Sequence, residues 1–191
     1  MIRIRSYTLM ILALGLASCA FGQDFKVFST YVQAHEGGGQ RVLVMETDGR
    51  RFSIGSPKLY GSKIQPNDRK IVFTSTLCAS VMTIRFTTNY AGKLPPRDNL
   101  RDEVAAKYPA ASLVSSRVCY TDYGQGQYFE LFQPTSGNLM LKMRDAYVAV
   151  PEGSVEFTLS CNGSDYDKQK LYFARLLNSF RCVPEDAKRN L

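Results

Sequence analysis

From Phe25 onward, β-branched and aromatic residues alternate with polar ones at a period of two, and clusters of Gly, Pro, Asn and Asp interrupt the alternation. Successive side chains of a strand point to opposite faces, so this pattern predicts mainly antiparallel β-structure with one buried face. Residues 25–34 and 40–47 read as two strands around the flexible connection His35-Glu36-Gly37-Gly38-Gly39. Asp48-Gly49 then turns the chain into Arg51-Phe52-Ser53-Ile54. Gly55-Ser56-Pro57 ends that strand. Residues 71–74 and 81–87 follow, the second with Val81, Thr83, Arg85 and Thr87 on one side and Met82, Ile84 and Phe86 toward the core.

Beyond Pro95-Pro96 the period changes to that of a helix. Asp98 is placed to cap it, Leu100, Val104 and Tyr108 recur at four-residue steps, Glu103 and Lys107 stand at i,i+4, and Pro109 stops it. Strands at 113–121, 127–133, 139–148 and 155–161 come next. The turns Tyr123-Gly124-Gln125-Gly126, Pro134-Thr135-Ser136-Gly137-Asn138 and Pro151-Glu152-Gly153 between them predict a meander. Asp165 or Asp167 then caps a last helix whose Phe173, Leu176, Leu177 and Phe180 form the stripe that packs on a sheet. No repeat or linker interrupts residues 23–191, which read as a single domain with residues 25–47 as an added N-terminal hairpin.

The N-terminus reads as a secretory signal: Arg3 and Arg5 precede the apolar run from Leu9 to Leu16, and the small residues Ala17 and Ser18 follow. The run is shorter than the roughly 20 apolar residues of a membrane span. Two processing readings stand side by side. Leu16-Ala17-Ser18-Cys19 resembles a bacterial lipobox, which would make Cys19 the acylated N-terminus; Ala20-Phe21-Gly22 resembles an ordinary signal-peptidase site and makes residues 1–22 the signal peptide. Either way the protein is expected in the periplasm or cell envelope, lipid-anchored at Cys19, or secreted.

Four cysteines remain in the body, and an even number in an exported chain predicts two disulfides. Three pairings are open. In an up-down meander Cys119 and Cys161 fall at opposite ends of the sheet, and the last helix carries Cys182 about 20 Å from Cys161. The expected bridges are therefore Cys119–Cys182 and Cys78–Cys161.

The order helix, four-strand meander, helix is bracketed by two local patterns, Asp48-Gly49-Arg50-Arg51-Phe52-Ser53-Ile54-Gly55-Ser56-Pro57 upstream and Leu171-Tyr172-Phe173-Ala174-Arg175-Leu176-Leu177-Asn178-Ser179-Phe180 downstream. Over about residues 48–182 this resembles the PsbP-like superfamily. What the resemblance implies is an α+β fold, an antiparallel sheet flanked by helices in an α/β/α sandwich. That fold occurs in extrinsic photosystem II subunits, in a Ran-binding factor and in bacterial exported lipoproteins, mostly as binding and assembly modules.

Catalytic chemistry finds little support. His35 is the single histidine and sits beside three glycines, without the orienting partner that a catalytic device needs. With that one histidine and cysteines spaced by about 40 residues, no metal-ligand cluster is predicted, and no cofactor motif is present. Gly124-Gln125-Gly126 joins two strands rather than a strand and a helix, so it reads as a hairpin turn and not a phosphate loop. Asp165, Asp167, Glu152 and Glu156 read as surface charges and caps. Tyr120, Tyr123 and Tyr128 crowd one hairpin, where cross-strand packing is favoured over protein recognition. The net charge of +7 falls to about +5 without the signal segment and is dispersed, unlike the clustered charge of a nucleic-acid binder.

The function these readings support is an exported, non-catalytic binding or assembly module, with no catalytic, cofactor or metal residues assigned. Its partner is expected to be a protein or envelope component, not nucleic acid, with membrane contact only through an anchor on Cys19. The alternative is an exported hydrolase-like enzyme whose site the sequence does not reveal.

Overall fold

Asp48 and Gly49 both adopt positive φ, 52° and 75°, the geometry of a two-residue turn whose twist matches the strands it joins. In the computed structural model, which describes residues 25–33, 39–136 and 139–183, this turn links β2 (Gly39–Thr47) to β3 (Arg50–Gly55), and β1 (Lys26–Gln33) pairs antiparallel with β2. The chain continues through β4 (Tyr60–Gln65), β5 (Lys70–Ser75) and β6 (Ser80–Thr87) to α1 (Arg97–Lys107). The meander β7 (Ser112–Tyr120), β8 (Gln125–Pro134), β9 (Met140–Val150) and β10 (Gly153–Asn162) precedes α2 (Tyr166–Asn178) and the two-residue β11 (Arg181–Cys182). Cys19 and His35 lie outside the described residues.

These strands form two sheets. One has the order β1-β2-β3-β11, the other β4-β5-β6-β10-β9-β8-β7, so the meander is contiguous and β10 returns to pair with β6. The core between them is built from the inward positions of both: Leu43, Met45, Phe52 and Ile54 from the small sheet, and Ile71, Met82, Ile84, Val148, Phe157 and Leu159 from the large one. Phe173, Leu176, Leu177 and Phe180 join it as the predicted stripe. A second cluster lies on the far side of the large sheet, where Leu100 and Val104 of α1 rest on Phe129, Leu131, Met143 and Tyr147.

This arrangement corrects the expected sandwich of one antiparallel sheet between helices. Residues 25–55, read as an appended hairpin, build a second sheet with its own buried face, and this sheet shares its layer with α2. The protein is thus mainly two antiparallel sheets packed face to face, the N-terminal strands contributing Leu43, Met45, Phe52 and Ile54 to the shared core.

The same sheet overturns the disulfides. Cys78, Cys119, Cys161 and Cys182 are all free thiols. After α2 the chain enters the small sheet, where Cys182 pairs in register with Phe52 at an exposed edge, while Cys119 faces the core opposite Gly126. Cys161 is buried on β10. The Cys78 thiol accepts a hydrogen bond from Gln169 Nε2 at 3.1 Å.

Smaller departures have local causes. Helix α1 starts at Arg97 with Pro96 at its N-cap and no side-chain cap, so Asp98 lies in the first turn instead. Strand β4 was not foreseen because only Tyr60 of its six residues is buried and Gly61 interrupts the alternation. The edge strand β7 carries a bulge between Leu113 and Ser115.

Gly126 is fixed by close approach: a Cβ there would lie 2.3 Å from the Tyr147 carbonyl and 3.0 Å from the Cys119 sulfur. Burial pushes the thiols of Cys119 and Cys161 up to about 11, and the thiolate is the reactive form. Native protein treated with a thiol-reactive dye is therefore expected to label first at exposed Cys182, with Cys119 and Cys161 reacting only on unfolding. Peptide mapping that finds Cys119 or Cys161 oxidised or rapidly labelled in the folded protein overturns this assignment.

Candidate functional site

Where α1 ends over the large sheet, the last helical residue, Lys107, points down between β9 and β10 rather than along its own helix. The i,i+4 partner expected from sequence, Glu103, instead accepts a hydrogen bond from Tyr90 Oη. Lys107 Nζ lies 2.9 Å from Asp145 Oδ2 and also donates to Glu156 Oε1 and, at 3.4 Å, to Tyr147 Oη. Tyr147 Oη donates to the same Asp145 oxygen at 2.9 Å. The ammonium also stands 4.9 Å from the centre of the Tyr108 ring and 5.8 Å from that of Tyr147.

Period two places these groups. Asp145 and Tyr147 on β9 alternate with the core residues Ala146 and Val148, and Glu156 on β10 alternates with Val155 and Phe157, so their side chains emerge on the α1 face. Glu156, read from sequence as a surface charge, is 8% exposed, and Asp145, not singled out at all, is 1% exposed.

Burial sets the electrostatics. Removal from water, followed by the nearby Glu156 charge, raises the Asp145 carboxyl above the ordinary aspartate range despite Lys107. Burial works against the charge on Lys107, but Asp145 and Glu156 outweigh it and hold the lysine above its usual value. One cation beside Asp145 reconciles the two shifts: the lysine keeps its proton, and Asp145 holds its own more tightly than a free carboxyl would. Burial likewise raises Tyr147, and it raises Tyr108 to about 12.

The cluster forms the floor of a cleft of about 660 Å³ between the end of α1, the 67–69 turn and the 88–90 loop. Arg69 on its wall is held by Thr47 and Asp48, which ties the hairpin turn of the small sheet to the large one. Glu103 is held by Tyr90. The polar groups of the cluster thus converge on Lys107, and the one hydroxyl of the cluster beside a carboxylate, Tyr147 Oη, donates to Asp145. Among the described residues no group of three metal-ligating side chains occurs.

The other residues weighed from sequence fall elsewhere. Tyr120 is exposed, Tyr123 packs edge-on against Phe52 at 5.8 Å, and Tyr128 lies half-buried under the Arg144 guanidinium at 5.1 Å. Asp165 precedes α2 without capping it through its side chain, and Asp167 pairs with Lys170 at 2.5 Å. Glu152 pairs with Arg50, also at 2.5 Å.

Truncating Lys107 leaves two buried carboxylates without their cation. Since the ammonium retains some contact with water, Lys107→Ala is expected to cost about 3 kcal/mol, the lower end of the range for breaking a buried pair, read from urea unfolding. The pH dependence follows from Asp145, which the folded chain protonates more readily than the unfolded one. Its contribution favours folding as pH falls from about 7 toward 3.8 and weakens as pH rises through that window. Lys107→Ala should therefore lose more stability at pH 8 than at pH 5, and an equal loss at both would refute the raised Asp145 carboxyl.

No protein-family model matches the chain, and no curated protein matches it in sequence. In structure it is similar to the Ran-binding protein Mog1p of Saccharomyces cerevisiae, with a TM-score of 0.53 over 84% of this chain and 98% of Mog1p at 6% identity. A protein of unknown function from Pseudomonas aeruginosa, PA94, aligns with a TM-score of 0.47 over 82% of this chain and 97% of its own at 13% identity. With Mog1p the chain shares a fold.

Proposed function

We propose that this protein is an exported, non-catalytic binding module whose partner is a protein. The observation that carries the reading is the closure of the Lys107 cluster. Both acids bond Lys107 and so fix the end of α1; in this reading the best-developed polar constellation positions α1 on the sheet rather than transforming a substrate. A fold shared with a protein that binds Ran supports a protein partner. The hydrolase alternative would have to draw on the same cluster, whose Asp145, Glu156 and Tyr147 are already bonded to Lys107 or to one another.

Export rests on the N-terminal pattern of Arg3, Arg5, the apolar run and Cys19. We further propose kinship with the PsbP-like type. The two local patterns behind that resemblance meet in space: Phe52 and Phe180 stack at 5.4 Å, and Gly55 N donates to Ser179 Oγ at 3.0 Å.

Both parts are testable on protein made in its own host. Intact mass is expected to show loss of residues 1–18 with an acyl group on Cys19, or of residues 1–22 without one; an unprocessed full-length product rejects export. Crosslinking in intact cells is expected to give one discrete protein adduct that excess untagged protein competes away. Hydrolytic turnover of ester or peptide substrates that stays with the folded protein through purification rejects the binding reading.

A further inference from the structure

The face of the large sheet that carries α2 is left partly open beside the helix. α2 stands mainly on β10 and β3, and next to its first turn β7, β8 and β9 are only partly covered: Arg117 and Met140 are exposed, while Tyr128, Glu130, Phe132, Lys142 and Arg144 are half-buried. Register places Arg117 opposite Tyr128, Glu130 opposite Arg144, and Phe132 opposite Lys142, all on this face because Ala146 and Val148 of the same parity enter the core. Tyr166, the first residue of α2, forms the wall above them.

The floor of this corner is cationic and aromatic. Lys142 Nζ lies 4.8 Å from the centre of the Phe132 ring and 5.1 Å from that of Tyr166, and the Arg144 guanidinium 5.1 Å from Tyr128 and 5.6 Å from Tyr166. Glu130 is fully engaged: it accepts hydrogen bonds from Tyr166 Oη and, at 3.1 Å, Ser115 Oγ, and lies 3.6 Å from Arg144. Burial alone would raise Glu130, but these donors outweigh it and hold the carboxyl below the glutamate range. The one acid on this floor is therefore already matched to Arg144. Arg117 and Lys142 form no ion pair within 4 Å of any described residue; Lys142 feels the more distant charge of Asp167 on the first turn of α2, and Arg117 stands exposed two strands away, with Met140 39% exposed beside Lys142.

We propose that this corner is the docking site for an acidic, extended segment of a partner protein, a proposal that rests on the binding reading and names the partner's chemistry. Carboxylates of the segment meet Arg117 and Lys142, and an apolar or aromatic side chain lies on Phe132 and Met140. The ring faces already restrain Lys142 and Arg144, so little side-chain freedom is lost on binding, and Tyr and Arg are the residue types that dominate interface energies. A peptide fits where a membrane does not: an inside corner between a sheet and a helix cannot lie flat on a bilayer.

The test uses the purified full chain and a fluorescein-labelled dodecapeptide alternating Glu and Tyr, read by anisotropy at physiological salt. A Lys and Tyr dodecapeptide and anionic phosphatidylglycerol vesicles run in parallel. Arg117→Glu with Lys142→Glu is expected to weaken the acidic peptide at least about tenfold. Lys58→Glu with Lys63→Glu, an equal charge change at the opposite edge of the same sheet, should alter it less than about twofold. Circular dichroism verifies the fold of both variants, and Arg117→Ala with Lys142→Ala gives a milder version should the reversal unfold. Equal loss in both pairs means attraction by net charge alone and overturns the site, as does no binding of the acidic peptide or vesicle binding that the corner variants abolish. If these variants leave the in-cell adduct intact, the corner is wrong and the binding reading survives; if no adduct forms at all, that reading falls with it.

Discussion

Everything in this fold is arranged around one ring. Phe180 stacks on Phe52 at 5.4 Å and an interplanar angle of 13°, meets Phe157 edge-on at 5.3 Å, and touches Tyr123 at 5.7 Å and Phe86 at 6.4 Å. Those partners come from β3, β10, β6 and the β7–β8 turn, so a single side chain just past α2 joins both sheets and the helix. Backbone groups lock it there: Tyr123 N donates to the Phe180 carbonyl at 2.9 Å and Asp122 N to the Asn178 carbonyl at 3.1 Å. Ser179 Oγ accepts from Gly55 N. Offset and edge contacts of this kind add to area burial, and here they decide the relative placement of two sheets that share no strand.

Once α2 is pinned at that end, its other end is committed to the neighbourhood of β8 and β9, where Tyr166 meets Glu130 and Arg144. The far face of the same sheet is left for α1. The two faces then handle charge in opposite ways. Under α1 a partly exposed lysine is shared by two acids; beside α2 one acid is matched to Arg144, and Arg117 forms no ion pair with any described residue.

Local signals in the sequence were faithful where the structure is local. Asp48-Gly49 makes the hairpin turn, Met82, Ile84 and Phe86 point inward, and the stripe from Phe173 to Phe180 is buried. What pairs with what was another matter. Glu103 seemed the natural partner of Lys107 because it is four residues away, but the actual partners are 38 and 49 residues distant, and only the alternation of β9 and β10 brings them under the helix. The even cysteine count pointed to bridges, yet Cα proximity depends on where β11 goes, and two residues of strand pairing sent Cys182 to the far edge of β3. Separation of the strands into two sheets is likewise a long-range outcome, invisible to a periodicity that is the same in both.

The bulged strand β7 closes one side of the large sheet, with Val114 and Val118 half-exposed along nine residues of unpaired backbone edge. Such an edge is a template on which further copies can add. The irregularity at Val114 interrupts the ladder, and Arg117 is the one charge on the strand, the kind of residue that keeps open edges from sticking to one another. Arg117 therefore serves two masters: any lineage that retunes the corner by discarding this arginine also loosens the guard on the sheet, so solubility restrains how freely partner preference can drift.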